Sequence, residues 1–228
     1  MNMQDPNVVA VELVAEALGS LCNELVLVGG CAVGLLITDG ARPPIRATRD
    51  VDLVAEVASL ASYYELREKL ESRGFRDQGD IICRWCKGAL IIDVMPTTEV
   101  GFGSTNRWYP LAVQHAQRVQ LPRGSEIRLV PAPLFVATKL ESFQDRGNGD
   151  YLHHDIEDIV NLVDGRFELI QEVENGPQLV REFIREEFDD LLADYTFMEL
   201  LPGHLNTDES SQRRVPIIIE RMRNLAGL

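Results

Sequence analysis

Three aspartates and two glycines carry the most informative chemistry in this chain of 228 residues. Asp50-Val51-Asp52 sets two carboxylates at i and i+2, and on an extended segment both leave the same face while Val51 and Leu53 point the other way. Two anions so close repel one another unless cations lie between them. Hard carboxylate oxygens at that spacing suit Mg²⁺, which takes one or two carboxylates and completes its shell with water and phosphate oxygens. The plainer alternative is a solvated Asp-x-Asp on a strand edge. Asp93 interrupts the apolar run Ala89-Leu90-Ile91-Ile92-Asp93-Val94-Met95, where an unpaired charge is costly or shifts its pKa. On a strand beside the first pair it would complete the three-acid arrangement that holds two metal ions about 3.5 to 4 Å apart; the alternative is a strand-end aspartate in a polar rim. Gly29-Gly30 follows an apolar, β-branched run and opens a helical segment, so its backbone N–H groups and the positive helix end can cradle phosphate. Neither the P-loop pattern nor G-x-G-x-x-G is present, and those two nucleotide sites are not supported.

These residues need elements to hold them. Val9, Leu13, Ala17 and Leu21 recur every fourth position from Pro6 to Leu21, which predicts an amphipathic helix lying on a sheet. Strand, tight turn and helix follow over Glu24 to Ile37, then a loop from Gly40 to Thr48 with Pro43-Pro44 and Arg42, Arg46 and Arg49 nearby, then a strand from Val51. Ser59 to Arg73 reads as a helix ended by Gly74, and Asp80–Cys86 with Ala89–Val94 as a hairpin around Lys87-Gly88. Short strands are expected at 118–121 and 127–130, and helices at 133–145, 151–164, 177–201 and 210–225. The fold class expected is α+β: a mixed-sheet head with flanking helices over 1–130, followed by an all-helical region over 131–228 that contributes to the active site.

Composition narrows the functional classes. The formal charge is -14, with 45% hydrophobic residues; residues 1–130 carry -3 of it and 131–228 carry -11. A chain so acidic is not built to coat nucleic acid, although its first part can still meet a polyanion. No apolar run reaches the roughly 18 residues of a spanning helix and the N-terminus lacks a signal-peptide pattern, so a cytoplasmic protein without membrane contact is expected. Cys83-Arg-Trp-Cys86 has the spacing of zinc and redox motifs, but it lacks a second ligand pair and does not open a helix; buried or half-buried thiols are the expectation, with metal or redox chemistry the alternative and Cys22 and Cys31 as further reduced thiols. Only Lys69, Lys87 and Lys139 are lysines among 22 basic residues. Lys139 lies in or beside the apolar stripe Val136, Leu140, Phe143, so it has an anionic partner or snorkels at the stripe's border. Trp85 and Trp108 read as core, with stacking on a base the alternative, His153-His154 as loop or first-turn residues, with metal binding the alternative, and Glu186–Asp190 as a solvated helix face.

In combination these motifs resemble the nucleotidyltransferase superfamily, the DNA polymerase beta-like fold: a Gly-Gly turn, an Asp-x-Asp strand and a third Asp. Val28-Gly29-Gly30, Thr48-Arg49-Asp50-Val51-Asp52-Leu53 and Ile92-Asp93-Val94 match in order. Within the superfamily the chain is most similar to the AbiEii-type toxin family of abortive-infection and toxin-antitoxin systems, whose later motifs correspond to Lys139, Arg146 and Asp155-Ile156-Glu157-Asp158. The resemblance covers residues 25 to about 164. One departure is the nineteen residues between Gly30 and Asp50, a longer spacing than is usual there.

The resemblance implies Mg²⁺-dependent transfer of a nucleoside monophosphate from an NTP to an acceptor hydroxyl. It implies that Asp50, Asp52 and Asp93 hold two ions, and that Gly29, Gly30, Arg49, Lys139 and Asp155 serve the nucleotide. Asp93 would also take the acceptor proton. The acceptor implied is an RNA end such as tRNA, approached past Arg42, Arg46 and Arg49, with a small hydroxylated molecule as chemical equivalent and a cognate antitoxin as protein partner. The alternative class is a catalytically silent, nucleotide-binding or protein-interaction member of the same fold, its acidic tail docking on a basic protein.

Overall fold

The computed structural model describes residues 5–40, 45–79, 83–99 and 105–228. Two compact units emerge, one from Met1–Leu35 and Pro43–Pro131, the other from Leu36–Arg42 and Ala132–Leu228. The first contains helices α1 (Pro6–Leu18), α2 (Gly29–Leu36), α3 (Leu60–Ser72) and α4 (Tyr109–Gln114). Its strands are β1 (Leu25–Leu27), β2 (Val51–Ala55), β3 (Arg76–Asp77), β4 (Arg84–Lys87), β5 (Leu90–Pro96), β6 (Gln117–Gln120) and β7 (Glu126–Leu129). They form one mixed sheet in the order β3-β4-β5-β2-β1-β7-β6. β2 runs parallel to β5 and β1 parallel to β7, whereas β1/β2, β3/β4, β4/β5 and β6/β7 are antiparallel. This is the α+β arrangement with a mixed sheet that the element order predicts.

Apolar register fixes the sheet. Trp85, Ile92 and Val51 stand opposite one another across β4, β5 and β2, and Leu53 stands between Val94 and Leu27. All six are buried. Helix α1 lies on this face: Val11, Val14, Ala15 and Leu18 line one small apolar cavity with Leu25, Leu27, Val51 and Leu53. The helix is where the sequence places it, but its buried face is not. Leu13 is 40% exposed, and the buried stripe is Val8, Val11, Val14, Ala15 and Leu18, following the helical period of 3.6 rather than four. Glu12 is buried too, accepting from the backbone N–H of Arg123 at 2.7 Å and ion-paired with its side chain.

The second unit is helical: α5 (Ala132–Arg146), α6 (His154–Gly165), α7 (Leu169–Glu174), α8 (Gln178–Ala193), α9 (Tyr195–Leu200), α10 (Glu209–Gln212) and α11 (Val215–Ala226). Residues 36–40 are tied into it, with Thr38 and Asp39 N–H groups both donating to the Gly165 carbonyl and Arg166 donating to that of Leu36. The expected single helix over 177–201 is two, because Asp194 leaves the helical conformation and caps α9 through Thr196 and Phe197 N–H groups. The helix expected over 210–225 is likewise interrupted between α10 and α11, and the one expected to open at 151 begins at His154. Helices α4 and α7, six residues each, were not anticipated. Arg42, Pro43-Pro44 and the expected strand start at 80–82 lie outside the described residues. Among the described residues no helix is long and apolar enough to cross a membrane.

Candidate active site

The face of the sheet opposite the α1 core carries the acids. Asp52 stands opposite Asp93 in the parallel β2/β5 pair, and Arg84 stands opposite Asp93 in the antiparallel β4/β5 pair. Residues in register share a face, so Arg84, Asp93 and Asp52 form a row across three adjacent strands. On the β1 side the row ends at backbone. Val28 N–H donates to the Asp52 carbonyl at 3.0 Å, and Gly29 follows with φ +63°, so close that a Cβ there would lie 1.9 Å from Asp52 Oδ2. Both the left-handed backbone and the contact demand glycine. Gly29 and Gly30 open α2, placing the first-turn N–H groups of that helix beside the Asp52 carboxylate.

Asp50 lies one residue before β2, and its carboxylate reaches the same cation. Arg84 Nη2 donates to Asp50 Oδ2 at 2.6 Å and to Asp93 Oδ2 at 2.7 Å, while Arg84 Nε donates to Asp93 Oδ1 at 2.8 Å. These side chains are 21% (Arg84), 32% (Asp50) and 17% (Asp93) exposed: sheltered, yet open to solvent. The hydrogen bonds to Asp93, ahead of the neighbouring carboxylate charges, push the Arg84 guanidinium even higher than its ordinary range.

A buried network holds the segment that delivers Asp50. Asp5 caps α1, accepting from Asn7 N–H at 2.8 Å. Fully buried Asn7 donates through Nδ2 to the Arg46 carbonyl at 2.9 Å and accepts from Thr48 N–H at 2.9 Å. Thr48 Oγ1 lies 2.8 Å from Cys31 Sγ, and that thiol donates to the Asp50 carbonyl at 3.4 Å. Burial, reinforced by the charges of Asp52, Asp50 and Asp5 and opposed by Thr48, pushes the Cys31 thiol up to about 12. Cys31 is therefore a structural donor rather than a nucleophile. Arg49 is exposed beside Asp50.

The donor set of Asp50, Asp52 and Asp93 is all hard oxygen on one sheet face, next to a cradle that a Cβ at Gly29 would fill. Those residues fit a hard divalent cation such as Mg²⁺. Arg84 is the residue sequence reasoning missed. It lies inside Cys83-Arg-Trp-Cys86, and its cross-strand register with Asp93 is what lets one guanidinium join Asp93 to Asp50. The cysteines flanking it are half-buried and free, and burial first, then Asp93 and Asp77, pushes Cys83 up to about 11. Trp85 and Trp108 are buried in the sheet unit.

In the helical unit, Lys139 on α5 is 6% exposed and Asp155 and Asp158 on α6 are 0% and 5% exposed. Lys139 Nζ lies 2.9 Å from Asp155 Oδ1 and 2.7 Å from Asp158 Oδ2. Arg146 clasps Asp155 with Nε and Nη2, both at 2.9 Å. Burial opposes ionisation of Asp155, but Arg146 and Lys139 outweigh it and hold the carboxyl at about 2. For Lys139 burial works against the charge and the two aspartates overcome it, raising the amine above its ordinary value. His153 caps α6 by accepting from Asp155 N–H at 3.2 Å, and His154 is the first residue of that helix. One ligand atom each from His153, His154 and Asp155 come within 4.8 Å of one another, but both Asp155 oxygens already accept from Lys139 and Arg146. Glu186, Asp189 and Asp190 are exposed around buried Phe188, as a solvated helix face requires.

No protein-family model and no curated protein matches the sequence. Solved structures do match. The chain is similar to an antigenic nucleotidyltransferase-like protein from Paracoccidioides brasiliensis, at 19% identity over 91% of this chain and 97% of that one with a TM-score of 0.51. A candidate nucleotidyltransferase from H. pylori aligns over 100% of this chain and 96% of that one at 11% identity and a TM-score of 0.49. The antibiotic-resistance factor ANT(2'')-Ia aligns over 81% and 94% at 14% identity and a TM-score of 0.45. The first of these likenesses establishes the fold as nucleotidyltransferase-like.

Proposed function

We propose that the protein is a nucleotidyltransferase that moves a nucleoside monophosphate from an NTP to an acceptor hydroxyl. The observation that carries this reading is that Arg84 joins Asp50 to Asp93, that Asp93 stands in register with Asp52, and that Asp52 packs against Gly29. Carboxylates drawn around one part-buried guanidinium repel one another and are costly without cations to bind. Asp50, Asp52 and Asp93 would hold Mg²⁺, two ions in all, which when bound neutralises phosphate charge and makes an acceptor hydroxyl easier to deprotonate.

The chain's own residues supply the rest. Gly29, Gly30 and the first-turn N–H groups of α2 receive phosphate oxygens. Arg49, exposed beside the acids, meets the nucleotide. Asp93 takes the acceptor proton, the resulting alkoxide attacks the α-phosphorus in line, and the α–β bridging bond breaks to release pyrophosphate. In the helical unit buried Lys139 and Asp155 serve the nucleotide through Arg146, which is 56% exposed while its guanidinium is fixed by Asp155 and is the cation of this trio that reaches solvent. The acceptor proposed is a tRNA end, as in AbiEii-type toxins, with a cognate antitoxin as partner.

A second reading is favoured by one observation: Arg84 already engages two of the three acids, as it would in a silent member that binds nucleotide without turnover. Incubation with each α-labelled NTP, Mg²⁺ and total cellular RNA decides between them. Label transfer that Asp52→Ala abolishes supports catalysis; nucleotide binding with no transfer to RNA, protein or small acceptors supports the silent member. Transfer unchanged in both Asp50→Ala and Asp52→Ala rejects the site.

A further inference from the structure

Arg84 is heavily committed on the acid face. Its guanidinium spends Nε and Nη2 on both oxygens of Asp93 and on Asp50 Oδ2, at 2.6 to 2.8 Å. The side-on fork to Asp93 is the geometry in which arginine–carboxylate pairs are strongest. The placement is fixed by the strand rather than by side-chain reach alone: Arg84 is in register with Asp93, and the preceding Cys83 adopts φ +70°, a conformation that L side chains seldom take. The neighbouring pair, Trp85 opposite Ile92, is buried on the other face and locks that register.

We propose that Arg84 is a built-in counter-cation of the acid cluster, which a divalent ion must displace from Asp50 and Asp93 before all three carboxylates can share it. The inference rests on the metal-site reading above and adds a threshold to it. With Arg84 docked, the charges of Asp50 and Asp93 share one guanidinium, so those two carboxylates are held together without a metal. A dication entering beside a docked guanidinium meets a like charge a few ångströms away, and the same oxygens cannot serve both in full. Arg84 therefore sets how much divalent ion, or how much ion delivered with a nucleotide, is needed to assemble the site. It is a positioning residue in this role, since it acts through the carboxylates.

The test is a Mn²⁺ titration of the full chain, reading free Mn²⁺ by electron paramagnetic resonance, for wild type, Arg84→Met, Arg84→Lys and Asp52→Asn. Arg84→Met is expected to bind Mn²⁺ about tenfold tighter or more, because a like charge is removed. Arg84→Lys should fall between it and wild type, keeping the charge but losing the fork, and Asp52→Asn should bind more weakly than wild type. In parallel, the Arg84 Nε–H resonance of the wild type, assigned by its loss in Arg84→Lys, is expected to shift and exchange faster with solvent when Mg²⁺ is added. Should Arg84→Met fail to fold, this resonance alone decides, and an Nε–H signal unmoved by saturating Mg²⁺ overturns the proposal. Mn²⁺ binding that depends on Asp52 but is equal or weaker in Arg84→Met overturns the counter-cation role and leaves the metal site standing. No Mn²⁺ binding by wild type or Arg84→Met overturns both.

Discussion

Replacing Gly29 with alanine tests the junction of fold and site. The new Cβ would meet Asp52 Oδ2 at 1.9 Å, Cγ at 2.5 Å and Cβ at 2.6 Å, on a backbone whose φ is +63°. Left-handed backbone costs a non-glycine residue about 1 to 2 kcal/mol. Rotating the Asp52 side chain clears Oδ2 and Cγ but not Cβ, so β2 or the start of α2 must also move, and overpacking of this kind costs about 1 to 3 kcal/mol. The expected total is roughly 2 to 5 kcal/mol, read as a fall in the urea midpoint by circular dichroism at unchanged slope. The two contributions separate in a double-mutant cycle. In an Asp52→Gly background the three nearest of the clashing atoms are gone, and the cost of Gly29→Ala should fall toward the backbone share of about 1 to 2 kcal/mol. Nucleotidyl transfer by Gly29→Ala should drop by about 100-fold, the effect of moving a reacting group by about 1 Å. If Gly29→Ala lies within about 0.5 kcal/mol of its parent in both backgrounds, Gly29 does not crowd Asp52 and the site geometry argued above is wrong.

Asn7→Leu should destabilise the sheet unit by about 2 to 4 kcal/mol, because the Arg46 carbonyl and Thr48 N–H lose their buried partner together. It should also raise hydrogen exchange at 46–50; unchanged protection there would refute the pinning role. For Asp155, folding lowers the carboxyl from its ordinary value to about 2. Its contribution is thus present above the unfolded value of about 4 and fades as pH falls from there to about 2, on the order of 2 kcal/mol in all. Arg146→Met should raise the acid-unfolding midpoint of the helical unit, and an unmoved midpoint would show that Arg146 does not hold Asp155 ionised. Lys139→Met removes the cation that bridges buried Asp155 and Asp158 and should cost about 3 to 5 kcal/mol, partly restored by adding Asp158→Asn; a neutral Lys139→Met in urea denaturation would contradict the burial of that trio.

The acids and glycines were legible because each breaks a local pattern: Asp93 charges an apolar strand, Asp50 and Asp52 repel at two-residue spacing, and Gly29 interrupts a β-branched run. Arg84 was not, because its meaning depends on pairing with a strand six positions later and on that strand lying beside β2. No local feature announces such a register. Asn7 was invisible for a related reason, its partners Arg46 and Thr48 being about forty residues away. The buried face of α1 was misplaced by a periodicity error. Steps of four residues advance about 40° past a full turn, so Val9, Leu13, Ala17 and Leu21 wind off any one face within three steps. The break between α8 and α9 is made by Asp194 with no glycine or proline to mark it, so the continuous apolar pattern across it read as one helix.

Mutually repelling carboxylates cannot choose the register that gathers them; something else must impose it. In this sheet the opposite face does so. Sliding β5 by one residue against β4 and β2 would turn Ile92 and Val94 out of the core and send Asp93 into it, and the burial of Trp85, Ile92, Val51, Val94 and Leu53 resists that slip. Arg84 adds an attraction on the acid face that spans β4, β5 and the entry to β2 in one side chain. The apolar face thus sets where the acids stand, and the arginine sets how close they stand before any further cation arrives. A core substitution such as Trp85→Ala, expected to cost about 3 to 5 kcal/mol, should therefore disturb the acid row without touching a single carboxylate, whereas Arg84→Met should loosen the acids while leaving the core register intact.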